Sequence, residues 1–120
     1  MHELGITQGV IDQARVAALA NNALRVTDLY LTMTAAADFS QDSIEMYFAM
    51  LADEDELFRG AVLHIDHKPV AATCLSCGDE FSADVPQPVC PRCDSLFVAL
   101  DPEAPMIQLT DVGIEDGTEG

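Results

Sequence analysis

Four cysteines limit what this chain can fold into more than any other feature. They stand as Cys74-Leu75-Ser76-Cys77 and Cys90-Pro91-Arg92-Cys93 within the stretch TCLSCGDEFSADVPQPVCPRCDS. Two residues between cysteines let one tight turn present both sulfurs to the same ion, and two such turns complete a tetrahedral set of four thiolates. The pairs are separated by twelve residues, and each is followed by a residue that tolerates positive φ, Gly78 after the first and Asp94 after the second. A turn of that kind aims backbone N–H groups at the thiolates. Four thiolates close the coordination sphere, so the expected site builds structure and leaves no open position for catalysis. The apolar content of this segment is too small to fold unaided, so a metal must supply much of its stability.

Compartment decides between a metal and disulfides. The first twenty residues contain Glu3 and Asp12 and lack a basic leading region, so no signal peptide is expected. No apolar run reaches the roughly 18 residues of a membrane span. A reducing, cytoplasmic setting favours a metal over two disulfides, and a thioredoxin-like dithiol would need a single pair beside a βαβ unit. Zinc is the default ion. Iron is the alternative, because rubredoxins also place four cysteines around one ion with a CPxC second knuckle. The charge balance removes another class: 5 Lys+Arg stand against 21 Asp+Glu, a formal net charge of -16. Such a surface repels phosphate backbones, so no nucleic-acid partner is expected. The acidity reads first as solubility; the functional alternative is a field that attracts cations and basic protein surfaces.

The rest of the chain reads as a small α+β fold. From Leu4 to about Ala20 the periodicity is helical, with Val10, Ile11, Ala14, Ala17 and Ala18 on one face and Asn21-Asn22 as a stop. RVTDLYLTM is a strand in which Thr27, Leu29, Leu31 and Met33 alternate with Val26, Asp28, Tyr30 and Thr32. Ser40 caps a second helix with Asp42 and Glu45 in its first turns and an inward stripe of Ile44, Tyr47, Phe48 and Leu51. AVLHIDHKPV is a second strand, with Val62, His64, Asp66 and Lys68 on one face and Leu63 and Ile65 on the other. It is closed by Pro69, and MIQLTDVGI is a last strand. Two helices on one face of a small antiparallel sheet satisfy the burial rules. The cysteine segment then falls as an insertion between two strands that could pair. The expected domains are 1–70, completed by a strand at about 105–113; a metal ribbon at 71–104; and an acidic flexible tail at 114–120.

The opening MHELGI adds a second candidate site. The α-amine, the backbone nitrogen of His2 and its imidazole Nδ1 can bind one ion through a five-membered and a six-membered chelate ring. The backbone nitrogen of Glu3 or a nearby side chain could complete the set. Nitrogen ligands in a square plane suit Ni(II) or Cu(II) better than Zn(II) or Mg(II). Histidine at the second position is large enough to protect Met1 from trimming. His64 and His67 fall on opposite faces of their strand and read as surface residues. Met33, Met46, Met50 and Met106 read as core or helix filler.

Taken in order, MHELGITQGVIDQA, SIEMYFAML, CLSCG…CPRCDS and QLTDVGI resemble the HypA/HybF family of hydrogenase maturation factors. The resemblance implies a nickel metallochaperone with a small α+β nickel domain and an inserted zinc domain. It implies nickel at Met1, His2 and Glu3 and structural zinc at Cys74, Cys77, Cys90 and Cys93. It also implies a nickel-handling maturation GTPase and the [NiFe]-hydrogenase large subunit as partners. The sequence departs from the family in MTAAADFSQ, which lacks the usual glycine, and in DPEAPMIQL, which lacks the usual Gly-Glu pattern. Asp38 and Asp42 are the candidates for an acidic residue that assists nickel. Two other readings stand beside delivery: a zinc-ribbon interaction module and a rubredoxin-like iron electron carrier. An enzyme is not expected, since no Ser/His/Asp or Cys/His arrangement has a recognisable context and no Gly-rich phosphate loop is present.

Overall fold

The computed structural model describes residues 3–116. Helix α1 covers Glu3–Ala20 and buries Thr7, Val10, Ile11, Ala14 and Ala18. Ala17, expected on that stripe, is exposed, and Thr7 lies inward instead. The Thr7 hydroxyl donates to the Glu3 carbonyl at 2.7 Å, so its burial leaves no polar group unpaired. The helix stops at the two asparagines: Asn22 adopts φ 60, and the Asn21 side-chain amide donates to the Ala17 carbonyl at 2.8 Å. Helix α2, Gln41–Asp53, starts at Ser40, whose hydroxyl accepts from the Ser43 N–H at 3.1 Å. It buries Ile44, Phe48 and Ala52, with Tyr47 and Leu51 half-buried beside them, and packs against α1.

Strand β1, Ala23–Thr34, buries Leu29, Leu31 and Met33 as the alternation predicts. Val26 is also fully buried, so the inward parity shifts by one residue between Val26 and Leu29. The N–H of Val26 donates to Leu57 O at 2.7 Å, which ties this end of the strand to the loop after α2. Strand β2, Val62–Lys68, and strand β6, Ile107–Asp116, flank β1 in a three-stranded sheet of order β2-β1-β6. The strands either side of the cysteine segment therefore do not pair with each other, contrary to the expectation; each pairs with β1 between them. Strand β6 also runs past the anticipated end near residue 113, so 114–116 are strand rather than tail, and 117–120 lie outside the described residues. The α+β class is as expected, with two helices and small antiparallel sheets.

The chain divides into two compact units. Among the described residues, the first takes those up to Leu31, Phe39–Asp66, and those from Gln108 onward. Phe58 lies wholly buried in it, under the Arg15 guanidinium 5.3 Å from its ring centre. Arg15 also pairs with Asp55 at 2.5 Å, fixing α1 to the loop after α2. The second unit takes Thr32–Asp38 and His67–Ile107. Backbone bonds hold its first segment: Ala35 N–H to Lys68 O at 3.2 Å and Thr34 N–H to Met106 O at 3.0 Å. Its sheet joins β3, Val70–Cys74, to β4, Glu80–Ala83, and β5, Val98–Leu100, in the order β4-β3-β5. Both pairings are antiparallel, with Thr73 opposite Glu80 on one side and Ala99 on the other.

Candidate metal centre

Strand β3 ends on Cys74, and the chain then turns through two knuckles of the same construction. In the first, the Gly78 N–H donates to Cys74 O at 2.9 Å, the Cys74 N–H to Asp79 O at 2.8 Å, and the Cys77 N–H points at Cys74 Sγ from 3.4 Å. In the second, the Asp94 N–H donates to Cys90 O at 2.9 Å, the Cys90 N–H to Ser95 O at 2.9 Å, and the Arg92 N–H points at Cys90 Sγ from 3.4 Å. Gly78 and Asp94 supply the positive φ that closes each turn, +80 and +62. The knuckles are tied together by Ser76 Oγ and Ser95 Oγ at 2.8 Å and by the Leu75 N–H on Phe97 O at 2.8 Å.

The four sulfurs converge, with all Sγ atoms within 4.8 Å of one another. Cys74 and Cys93 are 3.6 Å apart and Cys77 and Cys90 3.7 Å. These separations are far longer than a disulfide bond of about 2.05 Å. They match the edge of a tetrahedron about an ion with metal–sulfur bonds of about 2.3 Å, which is about 3.8 Å. Cys74 and Cys90 are buried, while Cys77 and Cys93 reach the surface. The donor set and spacing thus fit a tetrahedral thiolate-bound ion. The backbone prepares it: the Cys77 N–H is the chief cause pulling Cys74 down to about 6. For Cys93 the Ser95 N–H lowers the value, but burial and the sulfurs of Cys74, Cys77 and Cys90 together outweigh it and push the thiol up to about 12. A bound cation overrides that resistance, because a coordinating thiol is deprotonated outright, so loading the site releases protons.

Among the described residues, no other three His, Cys, Asp or Glu side chains converge in this way. Met1 and His2 lie outside the described residues. Glu3 is the first residue of α1 and is half-buried. Asp38 is exposed in the connection after β1, and Asp42 is exposed in the first turn of α2. His64, read as a plain surface histidine, has defined partners: its Nε2 lies 2.8 Å from Asp28 Oδ1, and its ring stacks on Tyr30 at 4.5 Å between centres and 9° between planes. The hydrogen bond from His64, with a second from Thr27, holds the Asp28 carboxyl below its ordinary value. No helix among the described residues is long and apolar enough to cross a membrane.

Fold and site define a small α+β protein built around a four-cysteine metal centre. Known proteins narrow that class. The family model described as "Hydrogenase/urease nickel incorporation, metallochaperone, hypA" matches residues 1–106. Hydrogenase maturation factor HybF of Klebsiella pneumoniae is 34% identical over 95 residues, which is 79% of this chain and 83% of that protein. Hydrogenase maturation factor HypA of Syntrophus aciditrophicus is 26% identical over 115 residues, 96% of this chain and 100% of that one. The solution structure of the Ni metallochaperone HypA from Helicobacter pylori shares the fold, with a TM-score of 0.67 at 19% identity over 97% of this chain and 99% of that one. The chain belongs to the HypA family, whose members are metallochaperone maturation factors and not enzymes.

Proposed function

We propose that this protein takes up Ni(II) through Met1, His2 and Glu3 and delivers it during [NiFe]-hydrogenase maturation, while Cys74, Cys77, Cys90 and Cys93 hold a structural zinc ion. The observation that carries the reading is that the family match begins at residue 1, on the residues able to form the chelate. Glu3 opens α1, so the third residue of the proposed site belongs to a helix packed on the core. A terminal amine, backbone nitrogens and an imidazole make a planar set suited to Ni(II). A site at the end of a chain can also release its ion, whereas four thiolates around zinc close the sphere and hold it. The nickel domain would comprise residues 1–70 and the strand from about 105, with 71–104 as the zinc ribbon. A nickel-handling GTPase and the hydrogenase large subunit would be its partners in the cytoplasm.

The test is a nickel titration of the zinc-loaded chain with and without one extra residue before Met1. The extension keeps His2 and every cysteine intact and moves the free amine away from His2. Loss of nickel binding, with zinc unchanged at one per chain, is the expected result. Equal nickel binding by both forms would overturn the terminal site.

A further inference from the structure

The outer face of the β4-β3-β5 sheet is shaped for contact. Burial alternates along β3, with Val70, Ala72 and Cys74 inward and Ala71 and Thr73 outward. Leu75 continues the outward parity past the strand end. Phe97 stands opposite it, because the Leu75 N–H donates to Phe97 O one step beyond the Cys74–Val98 pair. Cross-strand neighbours share a face, so Leu75 and Phe97 project together. Leu75 is 61% exposed, Phe97 71% and the adjoining Leu96 77%. Single exposed apolar residues are ordinary; two large ones paired across strands at the end of one small sheet mark a contact surface.

Beside this ridge the same face sinks. The small side chains of Ala71, Thr73 and Ala99 help to line a groove of about 350 Å³ that also carries the carboxylates of Glu80 and Asp101. A floor of small residues lets a partner's backbone come close. Charge then selects the occupant. The second unit carries seven Asp and Glu against two Lys and Arg, Lys68 and Arg92. Four thiolates on a divalent ion add a net charge of about -2. A second copy would bring the same carboxylates and a net charge of -16 to this face, so self-association across it is opposed.

We propose that this face docks a cationic amphipathic segment of a protein partner. Its Leu, Ile, Met or Phe side chains would cover Leu75 and Phe97, and its Lys or Arg side chains would reach Glu80 and Asp101. The proposal rests on the delivery reading for its purpose, since a delivering protein must hold its recipient. None of its residues is a proposed nickel ligand, so the two readings fail separately.

The experiment is selection of random peptides of about 16 residues, displayed on phage, against the zinc-loaded full chain without nickel at about 0.15 M salt. Enriched peptides should combine at least two large apolar residues with Lys or Arg. Their amide perturbations should fall on 71–75, 80 and 96–101. Phe97→Ser and Ala99→Arg should each weaken the selected peptides at least about tenfold with zinc still at one per chain. The double variant Glu80→Lys/Asp101→Lys should turn enrichment toward acidic peptides. An absence of enrichment, peptides that bind these variants as well as the wild type, or perturbations spread over the whole acidic surface would overturn the proposal. So would sedimentation revealing a dimer that Phe97→Ser abolishes, which would make a second copy the occupant.

Discussion

Replacing Gly78 by alanine tests whether the knuckle geometry itself holds the ion. Gly78 sits at φ +80, in the left-handed region. Nothing lies within 4 Å of the point where an added Cβ would fall, so no steric clash enters the cost. What remains is the backbone penalty of a left-handed L-residue, about 1–2 kcal/mol, offset by about 0.5 kcal/mol or somewhat more because alanine has less freedom to lose on folding. The net is about 1 kcal/mol, or about fivefold in an equilibrium constant. On the proposal that the four-cysteine segment folds around zinc, that cost should appear as zinc affinity weakened about fivefold. The assay is competition against a chromophoric zinc chelator at fixed pH. Asp94→Gly is the partner experiment. Asp94 already holds φ 62 in the second knuckle, so glycine there relieves strain and costs chain entropy in similar measure, and affinity should stay near wild type. Gly9→Ala is the control: it lies inside α1 with nothing within 4 Å of an added Cβ, and should raise thermal stability by about 0.5–1 kcal/mol without altering zinc affinity. Unchanged zinc affinity in Gly78→Ala beside the expected gain in Gly9→Ala would refute the reasoning, because the N–H groups aimed at Cys74 would then not need this turn.

Asp55 makes a prediction about acid. Its carboxyl is held below the ordinary 3.8 chiefly by the hydrogen bond from Arg15, so the pair's stabilisation is present above that value and is lost as pH falls through the lower folded value. Asp55→Asn should therefore lower stability at neutral pH, by no more than about 1 kcal/mol for a pair this exposed, and flatten the acid limb of a urea-denaturation series across pH. Removal of the metal should act on one unit: both α-helices, Glu3–Ala20 and Gln41–Asp53, belong to the first unit, so a strong chelator should largely preserve ellipticity at about 222 nm while amide signals of residues 69–101 collapse. Loss of helical signal in step with the metal would refute that separation.

The parts legible in the sequence are those set by neighbours along the chain. A Cys-x-x-Cys pair followed by a residue suited to positive φ encodes its turn within five positions, and both knuckles form as read. The start of α2 is equally local: Ser40 receives the Ser43 N–H, and Ile44, Phe48 and Ala52 follow at helical spacing. Beyond such spans local pattern carries less. Val26 falls on the wrong parity for a regular strand, yet it is buried where its N–H meets the loop carbonyl of Leu57, a partner thirty-one positions away that no local pattern announces.

What stayed hidden was long-range pairing. The four residues of β4 and three of β5 are too short to display an alternation, and they become strands because β3 stands between them. The order β2-β1-β6 is likewise a choice among pairings that sequence order does not rank, so nothing local tells whether the strands flanking the insertion pair with each other or with β1. His64 shows the limit from the other side. Its outward parity on β2 and that of Asp28 and Tyr30 on β1 were both readable, and two outward faces on adjacent strands would have placed the three residues together. The missing step was that β1 and β2 are neighbours. Once that is known, the 2.8 Å contact to Asp28 and the stack on Tyr30 follow from the geometry of cross-strand pairs, and the histidine becomes a fastening of the sheet rather than a bystander.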